Sequence, residues 1–202
     1  MGNEAPFVDV IDDDALVLRS LGRLLRSAGF AVRTFPSSQD FLAQSRGGQP
    51  GCLVLDLTMP GLNGLELQQM LATSSNPCPV VFLSGHADIA ASVKAMKAGA
   101  IDFLTKPVDR EKLLAAVRIA IGRDRSARAE REARESITSR LAQLTPRERE
   151  VLAGVVAGKL NKQIAAQLGT AEKTVKVHRA RVMRKMGAGS LAELVVLAGH
   201  VR

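Results

Sequence analysis

Cys52-Leu53-Val54-Leu55-Asp56-Leu57-Thr58-Met59-Pro60-Gly61 reads as a buried strand that runs into a turn. A short, continuous apolar run such as Cys52–Leu55, bounded by turn residues, fits a strand covered on both faces. Pro60-Gly61 then breaks the regular structure. Asp56 stands where the buried run meets the turn, so its carboxylate is expected at the carboxyl end of that strand.

The same alternation recurs on both sides. Further candidate strands are Phe7–Ile11, Ala31–Thr34, Val80–Leu83 and Ile101–Leu104, and amphipathic helical stretches fall near 15–28, 37–45, 63–73, 87–98 and 109–121. Gly29, Gly47-Gly48, Pro77 and Gly99 fall between them. Five β-then-α units predict an α/β domain over residues 1–121: a five-stranded, parallel, doubly wound sheet with helices on both faces.

With 202 residues, the chain has room for a second small domain. Hydrophobic residues make up 46% but aromatics only 3%, so aliphatic side chains must fill the cores. Nothing approaches the roughly 20 consecutive apolar residues of a membrane span. The start, Met1-Gly2-Asn3-Glu4-Ala5-Pro6, lacks the basic region and apolar run of a secretory signal. Cys52 and Cys78 lack metal-ligand spacing and read as two buried thiols in a reducing compartment. Together these features predict a cytoplasmic protein with no membrane partner.

Charge is divided unevenly. Residues 1–121 carry 11 Lys+Arg against 12 Asp+Glu, whereas residues 122–202 carry 17 against 8. Only the second part is suited to a polyanion, although a solvated basic surface or a lipid headgroup would fit the charge alone. Residues 122–143 are charged, rich in Ala and free of Pro. They are expected to be a helical linker that extends the last helix of the first domain, with a polar disordered linker or a basic DNA-contacting arm as the alternatives. Residues 144–202 read as four short helices. Thr145-Pro146-Arg147-Glu148 is a capping box with Pro at the first helical position. Gly158 closes that helix, Asn161 and Thr170 are candidate caps of the next two, Gly169 ends the second, and Ser190-Leu191-Ala192-Glu193 is another capping box.

Ligands of an open parallel sheet bind at the carboxyl ends of its strands. There the sequence places Asp12-Asp13-Asp14, Asp56, Ser84-Gly85-His86 and Thr105-Lys106-Pro107. Clustered carboxylates repel one another and call for a cation. Oxygen ligands without a Cys/His set favour Mg²⁺. A carboxylate beside such an ion can attack a phosphoryl group, with the Lys106 ammonium and the Ser84 hydroxyl countering charge on its oxygens. A nucleotide-binding α/β domain is disfavoured, because no Gly-rich loop follows the first strand. The histidines, at 86, 178 and 200, are too scattered for a zinc site.

Val10-Ile11-Asp12-Asp13-Asp14, the stretch Leu55–Gly64, Ser84-Gly85-His86 and the stretch Lys97–Pro107 together resemble the receiver domains of two-component response regulators. The resemblance covers about residues 5–125 and implies a flavodoxin-like fold. It implies that Asp56 accepts phosphoryl from a histidine kinase. It also implies Mg²⁺ ligation by Asp13, Asp56 and the Thr58 carbonyl, with Asp12 acting through water, and phosphoryl binding by Ser84 and Lys106. Phe103 matches the switch aromatic of such domains, as Phe in place of the more common Tyr.

In the second part, a helix from Ala171 to Met186 would put Val175, Val182 and Met186 on one face at about 100° per residue. Lys173, Lys176, Val177, Ala180 and Arg184 lie opposite, a basic front able to enter a major groove. Thr174, Arg181 and Lys185 share a flank where phosphates would run. The preceding helix, Asn161–Leu168, completes a helix-turn-helix. Leu144–Leu152, Asn161-Lys162-Gln163-Ile164-Ala165 and Lys173–His178 resemble the LuxR-type domain, and the whole chain resembles a response regulator of the NarL/FixJ type, closest to the FixJ branch. That resemblance implies base contacts from Lys173, Lys176 and Val177; Ala180 stands where some relatives carry a basic residue. It further implies double-stranded promoter DNA as a partner, a homodimer formed on phosphorylation through the fourth helix, fifth strand and fifth helix, and RNA polymerase as a candidate partner. Two other readings stay open: an aspartyl-phosphate phosphohydrolase, against which Thr58 stands where such enzymes carry a second Asp, and a constitutive DNA binder whose receiver only dimerises.

Overall fold

The computed structural model describes residues 7–44, 51–74, 77–85 and 89–199. Its contacts divide the chain into two compact units, Met1–Arg128 and Ala129–Arg202. His86, His200 and residues 87–88 of the expected fourth helix lie outside the described residues.

The first unit alternates strands and helices: β1 (Phe7–Ile11), α1 (Ala15–Ser27), β2 (Ala31–Phe35), α2 (Ser38–Gln44), β3 (Gly51–Asp56), α3 (Gly64–Ala72), β4 (Val80–Ser84), α4 (Ile89–Lys97), β5 (Asp102–Thr105) and the start of α5 (Arg110–Ala142). All five strands are parallel, in the order β2-β1-β3-β4-β5. This is the doubly wound, flavodoxin-like sheet that the sequence predicts. Four strands run one residue beyond their expected ends, because ladder pairing continues: Phe35 opposite Ile11, Asp56 opposite Leu83, and Ser84 opposite Thr105. β5 starts at Asp102, one residue later than expected.

Side chains alternate across the sheet with period two. Val8, Val10, Cys52, Val54, Val81 and Leu83 face α1 and α5, packing with Leu21, Leu25, Leu113 and Val117. Ile11, Leu53, Leu55, Val80 and Phe82 face the other way, onto Phe41, Leu67, Ala91 and Ala95. Both faces are therefore covered, and each fully buried leucine contributes about 2–3 kcal/mol. The burial explains the continuous apolar runs of the sequence.

Helix α5 runs without a break from the fifth helical stretch through residues 122–142, ending at Ala142. Asp124 is buried on it, accepts the Gly51 N–H at 2.9 Å and pairs with Arg128 at 2.7 Å. These bonds attach the helix to the amino end of β3. Further along, Ile137 and Leu141 join the core of the second unit.

That second unit adds α6 (Pro146–Val156), α7 (Asn161–Leu168), α8 (Glu172–Met186) and α9 (Leu191–Gly199). Val151, Val155, Ile164, Val175, Val182, Met186 and Leu194 form its core. Gly154 lets α6 approach α7, since a Cβ there would fall 2.8 Å from an Ile164 side-chain carbon. The capping box at Thr145 and Glu148 forms as expected, with Pro146 in the first turn. Three caps differ. Leu160, not Asn161, precedes α7, and the Gln163 side chain accepts its N–H at 2.8 Å. Ala171, not Thr170, precedes α8; Thr170 belongs to the turn that closes α7, its N–H donating to the Ala165 carbonyl. At Ser190 only half the box forms: Ser190 accepts the Glu193 N–H, but the Glu193 carboxylate turns to the Gly189 N–H.

Candidate functional site

The carboxyl ends of β1, β3, β4 and β5 bring distant residues together. The three aspartates after β1 divide their roles. Asp14 caps α1 by accepting the Leu16 N–H at 2.7 Å, which leaves Asp12 and Asp13 for the sheet edge. Carboxylate oxygens of Asp12, Asp13 and Asp56 lie within 4.8 Å of one another. Asp12 and Asp56 are buried and Asp13 is exposed, so the group opens to solvent on one side.

Lys106 closes the cluster. Its ammonium lies 2.6 Å from Asp12 and 3.0 Å from Asp56. The Lys106 backbone N–H donates to the Ser84 carbonyl at 2.7 Å, so β4 fixes where the lysine leaves β5. Ser84 is buried at the last position of β4, opposite Thr105. Thr58 is exposed two residues beyond Asp56, in a loop closed by the Gly64 N–H donating to the Leu57 carbonyl. Gly64 must be glycine, because a Cβ would meet the Asp56 carbonyl and lie 3.0 Å from the Phe82 ring. Phe103 is half-buried on β5, with its ring centroid 6.3 Å from that of Phe82.

The electrostatics are those of a crowded anionic site. Burial raises the Asp56 pKa; Lys106 pulls it back, while Asp12 and Asp13 push it up further. Burial alone would lower the Lys106 pKa, but bonds to Asp12 and Asp56 outweigh it and the ammonium is held charged. The three carboxylates form an all-oxygen donor set with an open side, which suits a hard cation. The cysteines take no part. Burial raises the Cys52 pKa well above its usual range and pushes Cys78 up to about 12, leaving two free, inert thiols.

The second unit presents the basic face. Val175, Val182 and Met186 are fully buried, so the opposite side of α8 faces solvent. Lys173, Thr174, Lys176, Val177, Ala180, Arg181 and Arg184 are exposed there or on its flank. Lys176 makes an exposed i,i+4 pair with Glu172 at 3.2 Å, a contact that water weakens and that a stronger anion could displace. Lys185 is not brought to this face. Its ammonium lies 2.7 Å from buried Glu148 and 3.1 Å from the Gln143 carbonyl. Lys185 first, and the Thr145 N–H next, hold the Glu148 carboxyl down at about 2. Two arginines outside the expected site tie its helices together: Arg179 donates to Asn161 at 3.0 Å and joins α8 to the start of α7, and Arg147 donates to the Leu168 carbonyl at the end of α7. Only the basic composition hinted at either.

Comparison with known proteins follows the same division. Residues 8–118 match the response regulator receiver domain, and residues 142–198 match the bacterial regulatory proteins of the luxR family. The transcriptional regulatory protein FixJ of Bradyrhizobium diazoefficiens is 44% identical over 189 residues, covering 94% of this chain and 92% of that protein. The low-resolution structure of the response regulator StyR superposes with a TM-score of 0.90 at 47% identity, covering 96% of this chain and 98% of that one. Full-length FixJ from B. japonicum gives a TM-score of 0.59 at 42% identity, over 99% and 98%. Among the described residues, no helix is long and apolar enough to cross a membrane.

Proposed function

Since the chain belongs to the two-component response regulators of the FixJ type, a receiver domain followed by a luxR-family DNA-binding domain, we propose that Asp56 is the residue through which it is switched. A phosphorylation-controlled transcription regulator of this kind has a histidine kinase on one side and DNA on the other. The observation that carries the assignment is the meeting of Asp12, Asp13, Asp56 and Lys106 at one open sheet edge. Residues 1–121 are assigned to the receiver, 122–143 to a helical connection and 144–202 to DNA binding.

Asp13, Asp56 and the Thr58 carbonyl would hold Mg²⁺, with Asp12 supporting through water. When bound, the ion supplies positive charge against the carboxylates and the transferring oxygens. A carboxylate oxygen of Asp56 forms the new P–O bond as the P–N bond to the kinase histidine breaks. Lys106, already 3.0 Å from Asp56, is placed to follow the charge onto a phosphoryl oxygen. The Ser84 hydroxyl donates to another. Phe103, packed on Phe82, turns inward as Ser84 engages, and the surface of α4, β5 and α5 becomes the dimer contact. The acyl phosphate adds about −1.5 to −2 charge, enough to reorganise such a surface.

In the DNA-bound state Lys173, Lys176 and Val177 read base edges, while Thr174 and Arg181 meet phosphates. A two-fold dimer implies two half-sites. RNA polymerase is the remaining partner, and the cytoplasm the compartment in which all of them meet. The protein acts as a regulator rather than an enzyme. Incubation with radiolabelled acetyl phosphate and Mg²⁺ tests the switch: the wild type should retain label and gain affinity for DNA, and Asp56→Asn should do neither. Equal labelling of the two proteins would refute the assignment, and steady release of phosphate from small phosphoesters would favour a hydrolase.

A further inference from the structure

Helix α8 is held at its carboxyl end by a part of the chain that the luxR-family match does not include. That match begins at residue 142. Arg140, on the last turns of α5, donates from Nη1 to the Met186 carbonyl at 2.8 Å. Met186 is the final residue of α8, where helix carbonyls lack intrahelical partners. A cation there also meets the negative end of the helix dipole. The fit is close. Gly187 has φ +66°, and a Cβ on it would fall 2.8 Å from Arg140 Nη1. Nearby, Ile137 and Leu144 are buried in the core of the second unit, and Gln143 accepts from Lys185. Residues 137–144 thus form a seat under the end of α8.

We propose that Arg140 is a positioning residue for DNA recognition, fixing the end of α8 so that Lys173, Lys176 and Val177 present at one angle. The proposal rests on the reading of α8 as the base-reading helix. Lys173 and Arg140 act on opposite ends of a 15-residue helix, which is about 22 Å long at 1.5 Å per residue. A small tilt at the held end therefore displaces the reading end. Val175, Val182 and Met186 keep α8 packed without Arg140, so its loss changes the precision of presentation rather than the fold.

The test uses the full chain treated with acetyl phosphate. One probe is a duplex selected from a random pool by the wild type, and the other is a scrambled duplex of the same length. Arg140→Met should weaken binding to the selected duplex about tenfold, as expected for losing a charge-assisted hydrogen bond. Binding to the scrambled duplex should hardly change, and the dependence of log Kd on log salt should keep its slope. Arg140→Lys should recover part of the loss. An unchanged ratio between the two duplexes overturns the proposal. So does a slope reduced by about one, which would mark Arg140 as a phosphate contact, and so does an equal loss on both duplexes. Should Arg140→Met lose its cooperative unfolding, Arg140→Gln faces the same criteria. If the wild type itself selects no duplex, the reading of α8 fails first, an outcome distinct from variants that bind as well as the wild type.

Discussion

Replacing Lys106 with Met would leave the acidic cluster without its internal counter-charge. The ammonium contacts Asp12 at 2.6 Å and Asp56 at 3.0 Å, and both carboxylates are buried. At an effective dielectric constant of about 20, a unit charge about 3 Å away is worth roughly 5 kcal/mol before desolvation. Desolvation of the lysine, which keeps 22% of its side chain exposed, offsets most of the two contacts. A net cost of about 3 kcal/mol remains, the lower end for a broken buried pair. For a unit of this size that is a fall of about 10 °C in Tm. Calorimetry is the suitable assay, because the chain has neither Trp nor Tyr to report by fluorescence. The fall should be largest in chelator and should narrow as Mg²⁺ is added, since a cation then replaces the missing charge. A Tm within about a degree of the wild type in chelator, or equal Mg²⁺ shifts in both proteins, would refute the reasoning.

Three further outcomes are expected. Asp56→Asn should raise the Tm of the first unit in chelator and blunt its response to Mg²⁺, because a buried carboxyl with a raised pKa opposes folding once ionised. Glu148→Gln should destabilise the second unit at neutral pH. The Glu148 carboxyl titrates at about 2 in the fold against 4.5 ordinarily, so its contribution is complete above 4.5 and disappears as pH falls toward 2; calorimetric curves of variant and wild type should converge over that interval. On a selected duplex, Arg181→Ala should reduce the salt slope by about one, whereas Lys176→Ala should relax preference at one base pair at a cost of about 1–3 kcal/mol. Competition binding at several salt concentrations separates the two.

The sheet is legible because its central strands, β3 and β4, are buried on both faces. Runs such as Val80–Leu83 have no polar face to disguise them, and the turn residues bracket them. The strand-end residues were legible as a set, because parallel topology forces one edge to collect Asp12, Asp56, Ser84 and Lys106. Lys185 leaves the flank that its spacing predicts, because a helical projection fixes a Cα direction, not the course of a long stem. Glu148, 37 positions earlier, captures the ammonium, and sequence spacing on α8 holds no trace of that. The caps of α7 and α8 differ from the expected residues for a related reason. Asn161 and Thr170 have capping propensity, but Arg179 engages the side chain of the first, and the second lies in the turn that follows Gly169. The continuity of α5 followed from its helix-forming residues, whereas Asp124 and Arg140 gained their meaning only from partners far along the chain.

The bond from Gly51 to Asp124 has a practical bearing on how the phosphorylated half should be prepared alone. A fragment stopped at residue 121, where the repeating pattern of the sequence runs out, would deprive the first residue of β3 of its acceptor and open the edge beside Phe7. One carried through Arg128 keeps that strand closed at the end opposite Asp56. Kinase-transfer rates taken from the shorter piece would then describe a loosened sheet and not the native one.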